Sequence, residues 1–389
     1  MTRFVVLRDL RPADVPERVT RRARATATFL NEPEMRTVSA DITAQAEIAG
    51  DLRAAVVTPV IATRLIAPTA AREGAGGDAA WGLDAIGALG TMQTGVGVTV
   101  AVLDTGIAAD HPAFDHVDIA QKDFTGTGDG DRHGHGTHCA GTVFGGEIDG
   151  RRIGVAPGIS RALIGKVLDD EGSGTSEALL EGMMWALTEG AQVISMSLGF
   201  NFAAEVEYEV EQGWPVDIAT SHALEKYRGN LRMFDAIMDV ARAMESAGRG
   251  CVVVAAAGND SRRDVRPDFV VDVSTPAAAE DVVSVGAARR DPDELRIAPF
   301  SNANPVVSGP GVDVFSAAPG GGSAVMSGTS MACPHVAGAA ALWWEAAPVA
   351  GFPGKAQFVA AQLMARAKPN AFAKDVPQRD RGAGLVKAP

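Results

Sequence analysis

The chain has few cysteines and fewer basic than acidic residues, and each shortage excludes a class of protein. Only three of its 389 residues are cysteines, Cys139, Cys251 and Cys333. An odd and sparse count does not make a disulfide framework and is typical of a reducing compartment. Acidic residues outnumber basic ones by 48 to 35, a formal net charge of -13. Because an acidic surface repels phosphate backbones, we do not expect nucleic acid as a partner.

The sequence also lacks long apolar runs. None approaches the roughly 18 residues that a membrane helix needs. The first apolar stretch, FVVL, is shorter than the core of a secretory leader. The basic segment RVTRRARATATFL follows Asp9, Asp14 and Glu17, and organelle presequences avoid acidic residues. We therefore expect a cytoplasmic protein without a membrane partner.

Residues 1–80 differ in pattern from the rest and predict a small α+β unit with a linker. DITAQAEIAGDL, residues 41–52, has apolar residues at helical spacing. AAVVTPVIATRLIAP, residues 54–68, alternates β-branched and small residues as a strand does. AREGAGGDAA, residues 71–80, is small and Gly-rich and predicts a linker to a second domain at residues 81–389.

In residues 81–389, short apolar segments alternate with helical patterns. VTVAVLD, ALIGKVL, AQVISMSLG and CVVVAAA predict strands, and TSEALLEGMMWALTEG predicts a helix. This alternation indicates an α/β fold, with a mostly parallel central sheet and helices on both faces. Functional side chains gather at the carboxyl ends of such strands, where Asp104, Ser197 and Asn259 stand.

Two further stretches offer groups for nucleophilic catalysis. In SGTSMACPHVAG, Ser330 lies where a Gly-Thr turn opens an apolar helix, so it is either an N-cap or a nucleophile. A serine nucleophile needs a base to take its proton. DRHGHGTHCAG supplies three imidazoles, His133, His135 and His138, and Asp104 could orient one of them.

Together these motifs resemble those of the subtilisin-like (subtilase) serine proteases. VAVLDTGI resembles the aspartate motif of that family, HGTHCAG its histidine motif, SGTSMACPHVAG its serine motif and AAAGND the segment with its oxyanion asparagine. The resemblance covers roughly residues 81–389. It implies a serine endopeptidase that forms an acyl-enzyme through Asp104, His135 and Ser330, with Asn259 donating to the oxyanion.

The resemblance also implies two backbone edges that hold a peptide substrate between them as an added strand. The residues expected to bind substrate are Gly172, Ser173, Gly174, Ser197, Leu198, Gly199, Ala257 and Gly258. The small walls of Ala255–Gly258 predict an apolar residue before the scissile bond. Asp260 at the rim could instead favour a basic residue.

Two segments depart from the short members of the family. The first is a helical insertion at about residues 200–248, which could be a specificity wall, a lid, a partner surface or an excursion without a role. The second is the unit at residues 1–80. By resemblance it is a prosegment that inhibits its own enzyme and is cleaved off within residues 67–80, or else a permanent inhibitor or docking arm.

Two other functions stay open. The His133/His135/His138 cluster could bind zinc in a metal-dependent hydrolase, and a degenerate relative could grip peptides without cutting them. In the family, His135 is the base, which leaves His138 packed and His133 solvated. We expect no cofactor for the chemistry. A structural calcium ion stays open but is not predicted at a specific site, because Ala113 and Ile148 stand where relatives offer ligands.

Cys139 lies where some subfamilies carry a cysteine beneath the catalytic histidine. We expect it to be a buried packing residue that makes the enzyme sensitive to mercurials, and Cys333 to be inert packing.

Overall fold

The computed structural model describes residues 2–8, 34–40, 54–68, 70–73, 81–292, 294–347 and 355–389. Its strands are β1 (Thr2–Arg8), β2 (Glu34–Ala40), β3 (Ala54–Pro59), β4 (Ala62–Leu65), β5 (Ala70–Glu73), β6 (Thr99–Asp104), β7 (Asp118–Asp123), β8 (Glu147–Ile148), β9 (Arg151–Arg152), β10 (Arg161–Lys166), β11 (Ser173–Thr175), β12 (Val193–Met196), β13 (Leu198–Gly199), β14 (Val252–Ala256), β15 (Val283–Asp291), β16 (Glu294–Ile297), β17 (Val307–Pro310), β18 (Val314–Ala318) and β19 (Gly322–Ser327). Its helices are α1 (Trp81–Ile86), α2 (His135–Phe144), α3 (Ser176–Thr188), α4 (Phe202–Glu211), α5 (Val216–Ser246), α6 (Thr329–Ala346), α7 (Lys355–Ala365) and α8 (Gln378–Arg381). None of these helices combines the length and the apolar character needed to cross a bilayer.

The main sheet has the strand order β16-β15-β14-β12-β6-β10-β7, with β17 also beside β15. Every pairing in it is parallel except the antiparallel pair β15 and β16. Its central strands are buried on both faces, which explains why they read as continuous apolar segments in the sequence. The predicted α/β fold is confirmed.

Each face of the sheet has its own core, and β6 shows how one strand serves both. Val100 and Val102 point into a core that contains α2 and α6. Ala101 and Leu103 point into the opposite core, which contains α3 and the second half of α5. Successive residues of a strand face opposite ways, so helices on both sides are needed to cover it.

The first three N-terminal strands pack on the second of these cores. They form an antiparallel sheet with the order β2-β1-β3. Val5 of β1 is fully buried in the same cluster as Phe234 and Ile237 of α5. The strand predicted over residues 54–68 is confirmed but is broken into β3 and β4 at residues 60–61. The helix predicted over residues 41–52 lies outside the described residues.

The linker prediction is wrong for its first residues. Ala71–Glu73 lie in β5, which pairs antiparallel with β19. Composition signals the burial of side chains, whereas an edge strand can accept the backbone of almost any residue except proline. The rest of the predicted linker, residues 74–80, lies outside the described residues.

Candidate active site

Asp104 and His135 form a buried pair at the carboxyl edge of the main sheet. Asp104 ends β6, and His135 is the first residue of α2. The Asp104 Oδ1 and His135 Nδ1 atoms are 2.8 Å apart, and both side chains are fully buried. Because a carboxylate only accepts, Nδ1 carries the proton and the lone pair of the imidazole is on Nε2. Among the described residues, His135 Nε2 has no hydrogen-bond partner.

Asp131 fixes the start of α2 against the end of β6, a role that the sequence analysis missed. Its Oδ1 accepts from the Thr105 hydroxyl at 2.9 Å and from the Gly134 N–H at 2.8 Å. Its Oδ2 accepts from the Thr137 N–H at 2.8 Å and from its hydroxyl at 2.6 Å. The one available signal was an acidic residue that directly precedes the histidine-rich loop.

The other two histidines do not converge with His135 on a metal position. His138 lies fully buried one turn along α2, and its Nε2 is 3.0 Å from the Val314 carbonyl. Burial, with a smaller contribution from His135, lowers the pKa of His138 to about 3. His133 is exposed, with its ring centre 6.3 Å from that of His135. Among the described residues, the donor atoms close enough to share one ion belong to Asp104, His135 and Cys139.

The thiol of Cys139 lies between the histidine and the serine. Its Sγ is 3.7 Å from His135 Nδ1 and 3.4 Å from the Ser330 carbonyl oxygen. Burial raises the pKa of this thiol well above its ordinary value, and burial raises that of Cys333 to about 11. Both sulfurs are therefore protonated packing groups at neutral pH.

Ser330 is the second residue of α6, and the N-cap interpretation of it is wrong. The helix begins at Thr329, and Gly328 is the residue at the cap. The Ser330 hydroxyl donates to the Ile66 carbonyl at 2.9 Å and lies 3.4 Å from the Ser197 carbonyl oxygen. The hydroxyl is buried and donates to a peptide carbonyl of residues 60–67, which we call the N-terminal segment.

Asn259, in the loop that follows β14, is held in one orientation by Thr329. Its Oδ1 accepts from the Thr329 N–H and hydroxyl, both at 2.9 Å. Its Nδ2 is thereby turned outward, where it donates to the Ala67 carbonyl at 2.9 Å. This role of Thr329 was not predicted from the sequence, although the residue directly precedes Ser330.

The predicted substrate-binding edges lie on either side of β4, in the sheet β11-β4-β13. Arg64 pairs with Ser173 on one side and with Gly199 on the other, both antiparallel. The Leu65 N–H donates to the Gly172 carbonyl at 2.9 Å. Residues 172–174 and 197–199 are therefore brought together around one extended segment of the same chain.

Beyond these edges the segment continues to Ile66, which lies beside Gly199. Ile66 is 9% exposed, and a Cβ built on Gly199 would lie 3.5 Å from its side chain. Ala257 is fully buried, and the Gly258 N–H donates to the Thr329 hydroxyl at 3.2 Å. The Asp260 carboxylate accepts from the Asn302 amide at 3.0 Å.

The chain is similar to known proteins of one family. Residues 95–384 match the model of the Subtilase family. The chain is 36% identical over 263 residues to an intracellular serine protease of Paenibacillus polymyxa, covering 66% of this chain and 69% of that protein. It is 37% identical over 250 residues to subtilisin DY of Bacillus licheniformis, covering 64% of this chain and 77% of that protein. It is 34% identical over 258 residues to the major intracellular serine protease of Bacillus subtilis strain 168, covering 64% and 68%. The chain belongs to the subtilase family and is a subtilisin-like serine endopeptidase.

Proposed function

We propose that the protein cleaves peptide bonds with Ser330 as nucleophile, His135 as base and Asp104 as the group that orients the base. The observation that carries this proposal is the 2.9 Å contact between the Ser330 hydroxyl and the backbone carbonyl of Ile66. It marks where a scissile carbonyl would lie. The Cys139 thiol links this serine to the buried Asp104–His135 pair, because its Sγ contacts both the Ser330 carbonyl and His135 Nδ1. Since two relatives are named intracellular serine proteases, we place this activity in the cytoplasm.

The chemistry follows from these positions. Ser330 Oγ attacks the carbonyl carbon of the substrate while His135 Nε2 takes the hydroxyl proton. Asp104 stabilises the imidazolium that forms. Asn259 Nδ2, with the Ser330 N–H as the second donor, holds the oxyanion. Protonated His135 then gives its proton to the leaving amine, and water hydrolyses the acyl-enzyme in a second cycle of the same steps. None of these steps needs a cofactor.

The N-terminal segment occupies the place that a substrate would take, which supports a role as intramolecular inhibitor. Ser330 contacts the carbonyl of Ile66, but Asn259 holds the next carbonyl, that of Ala67. The nucleophile and the oxyanion donor thus act on different peptide units, whereas attack requires both on one. Cleavage within residues 67–80 would sever the segment and free the site.

We propose an apolar residue before the scissile bond, because Ile66 is buried beside Gly199. The alternative basic preference is weakened because the Asp260 carboxylate is already bound by Asn302. The partner is a peptide or protein substrate, and neither nucleic acid nor a membrane is part of the proposal. A structural calcium ion would stabilise the fold and take no part in the chemistry.

Labelling with a fluorophosphonate tests the serine directly. The full chain is compared with Ser330→Ala and with Ser160→Ala, which removes an exposed hydroxyl elsewhere. We expect an adduct on Ser330 in the wild type and in Ser160→Ala, none in Ser330→Ala, and no effect of a chelator. An adduct on another residue would contradict the assignment. Activity lost to the chelator would favour the metal-dependent hydrolase, and labelling without peptide cleavage would favour the peptide-binding protein.

A further inference from the structure

The insertion helices lie against the upstream part of the segment that fills the cleft. A cavity of about 350 Å³ separates the two. It is lined from the segment by Val60, Ile61, Ala62 and Arg64, and from the insertion by Asn201, Ala204, Glu205, Tyr208 and Lys226. A second cavity places Ile61 and Ala62 beside Phe202 of α4 and Tyr227 of α5. The insertion is therefore one wall of the cleft.

On its other side, the segment contacts the start of α3 in the domain at residues 81–389. The Ile61 N–H donates to the Ser176 hydroxyl at 3.1 Å, and the Ser176 N–H donates to the Ile61 carbonyl at 2.8 Å. This bonding lies at the start of α3, directly after β11. A peptide that replaced the segment would therefore run between α3 and α4 before it reached Ser330.

Arg64 is the charged residue of the segment that lines the cavity beside the insertion. In β4 the side chains alternate, with Thr63 1% exposed and Arg64 exposed. The Arg64 side chain lines the same cavity as Glu205 and Tyr208. A carboxylate and the face of an aromatic ring both attract a guanidinium or an ammonium group.

The charge of α4 adds to this attraction. The helix carries Glu205, Glu207, Glu209 and Glu211 and no basic residue. Lys226 of α5 pairs with both Glu205 and Glu209, so one cation faces two carboxylates. Of the insertion residues that line the cavity, Glu205 and Lys226 form one ion pair, and the other three carboxylates of α4 lie outside that lining.

This inference rests on the proposed function and extends it to the substrate. We propose that α4 forms a subsite of the cleft that favours arginine or lysine at the position of Arg64, two residues before the residue whose carbonyl meets Ser330. Backbone pairing to β11 and β13 holds a peptide of almost any sequence, so a preference at this position has to come from a side-chain contact. The insertion then acts as a specificity wall, which the sequence analysis left open.

The test uses peptides of the form acetyl-Ala-Thr-X-Leu-Ile linked to a fluorogenic amine, with X as Arg, Ala or Glu, and the purified full chain. We expect kcat/KM to fall from Arg to Ala to Glu by about two- to fivefold at each step, the range for a partly exposed charge pair. Glu205→Gln should shrink this difference, and salt should do the same. Glu207→Gln, on the same helix but outside the cavity lining, should leave it unchanged.

A second readout uses the segment itself as the ligand. Arg64→Ala and Glu205→Gln are combined in a double-mutant cycle, and the rate of fluorophosphonate labelling of the full chain is measured. We expect the two substitutions to be non-additive, whereas Arg64→Ala and Glu207→Gln should be additive.

The outcomes separate this inference from the proposed function. A chain that labels on Ser330 and cleaves all three peptides equally, or whose preference survives Glu205→Gln, overturns the subsite alone. A chain that neither labels nor cleaves, even after it has been cut within residues 67–80, overturns the proposed function and the subsite with it.

Discussion

The two sides of the catalytic cleft differ in what completes them. On the side of the proposed base, Asp104 and His135 are bonded to each other, and Asp131 holds the start of α2 against Thr105 at the end of β6. On the side of the proposed nucleophile, Ser330 and Asn259 direct their donors at carbonyls of the N-terminal segment. The hydrogen-bonding groups on the first side are satisfied by residues of the domain at 81–389, and those on the second side by the carbonyls of Ile66 and Ala67.

This difference explains why His135 Nε2 lacks a partner among the described residues. The Ser330 hydroxyl has a single proton, and that proton is engaged by the Ile66 carbonyl at 2.9 Å. Leaving a buried acceptor unpaired costs free energy. In the proposed function, removal of the segment would free the Ser330 hydroxyl to donate to His135 instead.

Removing the proposed base, on the first side of the cleft, should cause the largest loss of activity. His135→Ala should lower kcat/KM by about 10⁶-fold, the loss known for subtilisin when its serine or histidine is replaced. His133→Ala is the matched control, since its exposed ring makes no bond to Asp104, and it should keep activity within a few-fold. Peptide hydrolysis with both variants checks this. Equal losses in the two variants would show that the histidines act together, as in a metal site.

Removing Asn259, the proposed oxyanion donor, should lower activity less than removing His135. Asn259→Ala should lower kcat by about 100- to 1000-fold with little change in KM, because this donor acts mainly in the transition state, as subtilisin shows. Asn370→Ala, an exposed amide elsewhere, is the control. A change confined to KM would place Asn259 in ground-state binding instead.

The sequence predicted the parts of the site that depend on local pattern. Asp104 and Asn259 follow continuous apolar strands, and in a parallel sheet such positions meet at one edge. The bracing of Asn259 by Thr329 joins residues 70 positions apart, and the contact between Ile66 and Ser330 spans 264. No periodicity marks such pairs, because they depend on how distant elements pack.

The prediction of a linker at residues 71–80 failed for a related reason. Ala71–Glu73 lack apolar anchors, yet they pair with β19 through their backbone. Pairing of this kind needs N–H and C=O groups, which almost every residue supplies, so composition does not reveal it. The same holds for β4, whose place between β11 and β13 rests on backbone bonds.

On the Ser330 side of the cleft, a substitution that weakens binding of the N-terminal segment should make Ser330 more accessible. Ile66→Ala removes most of a buried side chain and should speed fluorophosphonate labelling of Ser330 in the full chain by about 10- to 100-fold. Val38→Ala, on the outer strand of the N-terminal sheet and 36% exposed, should leave the rate near that of the wild type. Intact mass against time gives both rates. Equal rates in Ile66→Ala and the wild type would show that the segment does not control access to Ser330.

The smallest effect is expected at Cys139, whose sulfur touches both sides of the cleft. Because burial raises the pKa of this thiol, no thiolate is present to assist His135, and the 3.4 Å contact to the Ser330 carbonyl is a weak hydrogen bond. Cys139→Val should therefore change kcat/KM by less than about threefold. A mercurial, which binds sulfur beside the histidine, should inactivate the wild type and spare this variant. Inactivation of both would place the sensitive thiol at Cys251 or Cys333, and a large loss of activity in the untreated variant would show that the base side depends on this sulfur.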